Sequence, residues 1–472
     1  MQTQCSTTPL EFAPLGSRLV EGAFDGGTIT TDAGGLLLRE ADRGLALVRR
    51  VAECFEDYRD PERIEFTVAE LVGQRIFGLA LGYEDLNDHD TLRRDPLLAV
   101  LVGKLDVTGQ QRARARDRGQ ALAGKSTLNR LELTPAGADE RSRYQKIGYD
   151  EAALDRLLVA LFVEAQAQPP AEIILDLDAT DDPVHGNQEG RFFHGYYRSY
   201  CYLPLYVFCG EHLLCARLRT ADRDAAAGAT EEVARIVDQV RAVWPAVRII
   251  VRGDSGFARE ELMSWCEGAG VDYVLGLARN NRLEEALAGP LEQARRAQRR
   301  RGGAVRYFRD FQYRTRTSWS RTRRVVGKAE QLAQGPNPRF VVTSLPRRRI
   351  RARRLYERLY CGRGEMENRI KEQQLWLFAD RTSTARLRAN QLRLLFSSLA
   401  YVLVMTVRRV GLRGTGWERA QVGTIRTGLL KLGALVRVSV RRVRFAFSSG
   451  CPQAALFRTV LANLQTAYPL RQ

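Results

Sequence analysis

Pro169 and Pro170 make the sharpest boundary in this chain, because a proline pair ends any helix running into it and the residues beyond it read at a different period. Upstream, apolar residues at i, i+3 and i+4 over Glu65–Leu81 and Glu151–Ala165 predict an α-helical region over residues 1–168. Immediately downstream, Glu172–Asp178 (EIILDLD) has the short apolar run of a buried strand. Runs at Tyr202–Phe208 and His212–Arg219 flank Cys209-Gly210-Glu211, a turn suited to a hairpin. A helix over Thr230–Val243, a strand over Val247–Val251, a helix over Arg259–Ala269 and a strand over Val271–Leu277 complete the order βββαβαβ. Few folds accept that order. A three-strand meander followed by α/β units gives a mixed sheet covered by helices, with its first and fourth strands able to lie side by side at the centre.

Ribonuclease-H-like domains have this element order, so residues 169–282 are expected to form the first part of such an α/β core. An arginine-rich stretch then interrupts the pattern. Its apparent strands, Val305–Tyr313, Thr322–Val326 and Arg339–Thr343, predict a mainly β insertion over residues 283–346. The helical pattern resumes over Leu355–Phe378 and again, strongly apolar, over Arg386–Val410, so residues 347–411 are expected to rejoin the core and 412–472 to form a C-terminal segment.

The charge balance narrows the partners. Lys and Arg number 73 against 55 Asp and Glu, a formal charge of +18, which favours a polyanion, either nucleic acid or an acidic membrane. The most hydrophobic segment, Leu394–Val407, is shorter than the roughly 20 residues that span a bilayer and reads as a core helix. Met1–Phe12 shows no basic stretch followed by an apolar run, so no signal peptide is expected. The cysteines, Cys5, Cys54, Cys201, Cys209, Cys215, Cys266, Cys361 and Cys451, form no CxxC pair and read as reduced, mostly packing residues of a cytoplasmic protein. With four scattered histidines, any metal must be held by carboxylates.

Asp178 ends the first predicted strand and Asp254 follows the fourth, in Arg252-Gly253-Asp254-Ser255-Gly256-Phe257. Open α/β sheets bind ligands outside the carboxyl ends of their strands. A single strand-terminal Asp more often caps a turn, but two on adjacent strands converge. Asp176 shares a strand face with Asp178 at i, i+2 and stands as an alternative first ligand. Asp181, Asp182 and Glu189 read as solvated or capping groups of the following loop, and His185 and His194 as structural or substrate-contacting. Tyr360, Arg363, Glu367, Lys371 and Gln374 share one face of a late helix, which as a bland reading is a salt-bridged surface stripe. Clustered carboxylates repel one another unless protonated or bridged by cations, so Asp178, Asp254 and Glu367 together point to Mg²⁺ or Mn²⁺. Two such ions roughly 4 Å apart catalyse in-line phosphodiester displacement.

Tyr360-x2-Arg363-x3-Glu367 resembles the Tyr-Arg-Glu-Lys signature of bacterial DDE transposases, in which the Glu is the third catalytic ligand. The signature's Lys falls where this chain has Gln374, with Lys371 one turn earlier on the same face. Thr30–Gly35 (TTDAGG), Gly82–Leu92 (GYEDLNDHDTL), Ser126–Glu132 (STLNRLE), Asp176–Gly190 and Tyr360–Glu372 resemble the insertion-sequence 1380 family of transposases, so that the similarity runs over nearly the whole chain. The resemblance implies a ribonuclease-H-like domain with a β insertion before the Glu helix. It also implies an enzyme that binds terminal inverted repeats, cleaves at the element's ends through two Mg²⁺ or Mn²⁺ ions and inserts the DNA elsewhere, with two copies expected to assemble on DNA. A catalytically decayed, basic DNA-binding protein is the alternative. Residues 1–168 are expected to hold the base contacts, with phosphate contacts from Tyr360, Arg363, Lys371 and the arginine-rich segments Arg295–Arg324 and Arg347–Arg354. A core position is the more common case for a tryptophan, but Trp319 lies among polar and cationic neighbours that suit an exposed or loop position, and the resemblance adds that related transposases with a β insertion use an aromatic there to hold a flipped base.

Overall fold

The computed structural model describes residues 9–469; Cys5 and the first eight residues of the Met1–Phe12 stretch lie outside the described residues. The chain divides into two compact units, Met1–Tyr149 with Leu399–Gln472, and Asp150–Ser398.

In the first unit the longest helix of the N-terminal portion, Val68–Leu81, begins at a capping box. The Thr67 hydroxyl accepts from the Glu70 backbone N–H at 3.2 Å and the Glu70 carboxylate accepts from the Thr67 N–H at 2.9 Å, which satisfies two otherwise orphaned donors and starts the helix three residues later than its periodicity suggests. At its other end the buried Arg426 guanidinium donates to the carbonyls of Leu79 and Ala80, at 3.2 and 3.0 Å. Ala434–Ser439 pairs antiparallel with both Arg442–Phe447 and Ile29–Thr30. Residues 412–469 and the N-terminal helices therefore share one core, a long-range pairing that local periodicity does not record.

The second unit is built on a mixed sheet. Its elements are α1 (Glu151–Glu164), β1 (Glu172–Ala179), β2 (Leu205–Cys209), β3 (His212–Arg217), α2 (Ala229–Val243), β4 (Arg248–Gly253), α3 (Glu260–Gly268), β5 (Asp272–Leu277), α4 (Asn281–Arg301), β6 (Val305–Tyr313), β7 (Arg323–Leu332), β8 (Arg339–Thr343) and α5 (Gly364–Leu377). The strand order is β3-β2-β1-β4-β5-β8-β7-β6, with Gly335–Pro336 added beside β7. β1 and β4 are parallel neighbours, so the first and fourth strands meet at the centre as their order implied. Side chains alternate across each strand. Ile173, Leu175 and Leu177 of β1, with Ile249 and Val251 of β4, enter the larger core beneath α1 to α4. Ile174 and Ile250 face the opposite core with Leu355 and Tyr356.

Three expectations are corrected. The unit begins at Asp150, before the proline pair, because α1 packs on the sheet: Phe162 meets Trp244 edge-on at 5.7 Å, and Arg217 of β3 pairs with Glu151, Asp155 and Glu232. Residues 283–346 are no separate insertion. β8 pairs antiparallel with β5, so β6 to β8 prolong the main sheet, and the stretch opens with the 21-residue α4, whose Leu283 and Leu287 are fully buried. Trp319 is only 4% exposed, edge-on to Tyr313 at 5.6 Å and beneath the Arg323 guanidinium. Its neighbours Thr317, Ser318 and Ser320 are exposed while the indole turns back onto the sheet, a side-chain direction that neighbouring polarity does not reveal.

The helix Leu387–Gly411 is long and apolar enough to cross a membrane by length and composition, but 83% of its apolar window is buried in the protein. The expected core helix accounts for it. Trp319→Ala should lower unfolding free energy by roughly 3–5 kcal/mol, the usual cost of emptying an aromatic core site; an unchanged denaturant midpoint would contradict this packing.

Candidate active site

The even-numbered side chains of β1, Ile174, Asp176 and Asp178, share the sheet face covered by the helical segment Ala352–Leu377. The same parity on β4 places Ile250 and Arg252 on that face, with Asp254 just past the strand's carboxyl end. Register pairs Arg252 with Asp176, and the guanidinium grips the buried Asp176 carboxylate with two hydrogen bonds, that from Nη2 measuring 2.7 Å. Arg252 also donates to the Leu359 carbonyl. Asp176 is thus committed to an internal ion pair. Gly362 makes the approach possible, since a Cβ there would stand 2.7 Å from Arg252 Nη1.

Asp178 has no such bidentate partner. Arg363 Nη1 stands 3.5 Å from its Oδ1, and Nη2 of the same guanidinium donates to Glu367 Oε1 at 2.6 Å. Burial pushes the Asp178 carboxyl up to about 7; the Asp254 and Glu367 carboxylates add to the rise and Arg363 opposes it. Asp254 caps the turn Ser255–Phe257, its Oδ1 accepting from the Gly256 N–H at 2.8 Å. Glu367 lies one turn into α5, which continues directly from the helical turns over Ala352–Arg363. The structure therefore gathers Asp178, Asp254 and Glu367 into one electrostatic neighbourhood and threads Arg363 between two of them.

The helix itself changes pitch ahead of α5, with a π turn over Leu355–Tyr360 and a tight turn over Cys361–Arg363. Such irregular turns re-aim side chains and recur at functional sites. Tyr360 reaches over Gly276 of β5, where a Cβ would come within 2.6 Å of its hydroxyl and 2.8 Å of the Ser255 nitrogen. The glycine lets Tyr360 and the Asp254 turn crowd the strand end. Lys371 is exposed, and Gln374 donates to the Asp181 carbonyl at 3.3 Å.

A family model described as Transposase DDE domain group 1 matches residues 12–469. The chain belongs to this family. Among solved structures, this transposase chain is similar to piggyBac transposase in a synaptic complex with hairpin DNA. The identity is 11% and the TM-score 0.42, over 94% of this chain and 86% of that one. No curated protein matches it significantly.

DDE transposase domains generally use divalent metal ions. Among the described residues, no three His, Cys, Asp or Glu side chains form a group that could hold one ion as they are placed. The donor chemistry still fits a hard divalent cation. Asp178 is a buried carboxyl raised partly by two like charges, and a cation beside it relieves both causes. Arg363 now supplies the positive charge there.

Sequence reasoning missed Arg252, whose parity with Asp254 on β4 was the available signal, and Gly276, whose meaning depends on a helix far along the chain. It also read Asp182 as solvated or capping, whereas the side chain is 1% exposed. Burial pushes that carboxyl up to about 8; the Thr382 hydroxyl opposes the rise and the Asp380 and Asp181 charges add to it. Glu189 does cap, accepting from the Leu387 N–H at 3.1 Å. His185 is exposed and His194 half-buried.

A carboxyl raised above its unfolded value lets the native state hold a proton that the unfolded state has released. Stability from Asp182 is therefore full below the unfolded pKa of 3.8 and is lost as pH rises through about 8. Asp182→Asn should melt several degrees above the unsubstituted protein at alkaline pH, with the gap closing in mild acid. Parallel melting curves across the pH range would contradict a protonated buried Asp182.

Proposed function

We propose that this transposase binds the terminal inverted repeats of an insertion sequence and catalyses cut-and-paste transposition on a ribonuclease-H-like core, as a member of the insertion-sequence 1380 group. Asp178, Asp254 and Glu367 are its proposed metal ligands. The observation that carries this reading is the meeting of Asp178 and Asp254 at adjacent strand ends, with Glu367 tied to Asp178 through Arg363. Asp178 is preferred over Asp176 because Arg252 already neutralises the latter.

Bound Mg²⁺ or Mn²⁺, two ions in this proposal, would activate the attacking oxygen and stabilise the leaving one. The protein's own residues do the rest. Asp178 is fixed at its strand end by pairing with β2, and Asp254, just past the neighbouring strand, is fixed by the turn that it caps. Arg363 balances Asp178 and Glu367 before DNA and cations arrive, then presents its guanidinium to a phosphate. Tyr360 packs beside the Asp254 turn and keeps the α5 end seated on β5. Exposed Lys371 offers a further phosphate contact. Trp319, buried, has no place in this DNA surface. Two copies, one for each transposon end, complete the proposed assembly on DNA.

Asp178→Asn, Asp254→Asn and Glu367→Gln should each slow Mg²⁺- or Mn²⁺-dependent cleavage by at least about 100-fold with DNA binding retained, since each removes a ligand charge at constant size. Asp176→Asn should instead cost roughly 3–5 kcal/mol of stability, because it leaves the Arg252 charge buried without its partner. Normal cleavage by Asp178→Asn, or full activity in excess chelator, would defeat the assignment; a wild-type protein that binds DNA and never nicks it would support the decayed-enzyme alternative.

A further inference from the structure

After Glu418 the chain contains nine Lys and Arg residues and no Asp or Glu to its end. Four of those cations, Arg437, Arg441, Arg442 and Arg444, stand on the antiparallel ribbon Ala434–Ser439 and Arg442–Phe447 or in its turn. Only Ala434 and Leu435 pair with a third strand, so from Arg437 onward the ribbon is two strands wide. Its tip is open: Val440 is fully exposed and Val438 is 41% exposed.

Register sorts the two faces. Val436 opposite Phe445, Val438 opposite Val443 and Ala434 opposite Phe447 make one face apolar, and Phe447 packs on Phe457 of the following helix at 5.3 Å. The other face carries Arg437 directly opposite Arg444, and Arg442 opposite Ser439, with all three arginines exposed. No ion pair or cation–π contact engages these arginines among the described residues. Like charges directly opposite on a ribbon destabilise it. A solvated basic face with two directly opposed arginines thus carries an electrostatic cost that a polyanion would relieve.

A two-stranded ribbon fits the major groove of duplex DNA, and successive rungs on one face are about 7 Å apart, so Arg437, Arg442 and Arg444 can reach phosphates along the groove walls while the valine tip meets base edges. We propose that the ribbon Ala434–Phe447 is a DNA-binding element that inserts its arginine face into the major groove. This rests on the DNA-binding reading above, and it moves a groove contact from the N-terminal helices, where sequence pattern had placed such contacts, to the C-terminal segment.

The test uses the full-length protein and a mixed-sequence duplex a few helical turns long, followed by fluorescence anisotropy over a salt series. The triple variant Arg437→Gln, Arg442→Gln, Arg444→Gln should bind at least about tenfold more weakly, and the slope of log affinity against log salt should flatten by about 0.9 for each phosphate contact removed. The corresponding triple Arg→Lys variant should restore the slope, which separates lost charge from lost fold. On a duplex whose major groove is filled by glucosylated hydroxymethylcytosine, the wild type should fall to the variant's affinity and the variant should fall no further. Equal affinity and slope for wild type and Gln variant, or additive losses on the filled groove, would overturn the ribbon's role while leaving the DNA-binding reading intact. Failure of the wild type to bind any duplex would defeat that reading itself.

Discussion

The fork between Arg252 and Asp176 holds the centre of the second unit together. It joins the two central parallel strands, and by donating also to the Leu359 carbonyl it fastens to them the helical segment that leads into α5. Buried ion pairs gain little over apolar packing, because desolvation cancels most of the attraction, but they penalise any arrangement that parts the partners. Here that specificity matters. With Asp176 satisfied, the next carboxylate on the same face, Asp178, is left at the strand end with no bidentate counter-ion. The segment anchored at Leu359 then delivers Arg363 and Glu367 beside it.

Charge is distributed unevenly in this protein, and the overall excess conceals two kinds of arginine. Arg323 is buried against Glu260 and Glu267, Arg324 pairs with Asp310, and Arg349 joins Asp272 and Glu172 across strands. These residues lie in the stretches that read as phosphate contacts from sequence, yet Arg323 and Arg324 are structural, because a long basic side chain on an interior strand can persist only beside a carboxylate, and Arg349, in the exposed turn after β8, is engaged by two acids. Arg437, Arg442 and Arg444 are the opposite case, exposed on one ribbon face without a partner. Where an arginine sits relative to acids far along the chain decides whether it stabilises the fold or remains available to a polyanion.

The carboxylates form a similar contrast. Asp178 and Asp182 lie four residues apart and both have raised pKa values, but for different reasons. Asp178 lies at a strand end, where the Asp254 and Glu367 charges add to the effect of burial. Asp182 is sealed in the interior, where burial favours its neutral form.

Local sequence determined much of this. Strand alternation and helical period located β1, β4, β5, β6, β8 and α2 nearly to the residue, and their order placed the first and fourth strands together, since a right-handed crossover leaves few other arrangements. The same local pattern marked Asp178, Asp254 and the Tyr360–Glu367 stripe as the residues to watch. Tertiary structure alone decided the rest: that β6 to β8 prolong the main sheet because β5 needed an antiparallel neighbour, that α1 belongs beyond the helical region that precedes the proline pair, and that the C-terminal ribbon shares a core with the N-terminal helices. It also decided that Trp319 points inward and that Arg252 takes Asp176 and leaves Asp178. Each of these depends on which distant surface an element meets. Periodicity reports a residue's neighbours three or four places away on a helix, or two on a strand, and cannot report a partner many residues off whose approach is set by packing and register.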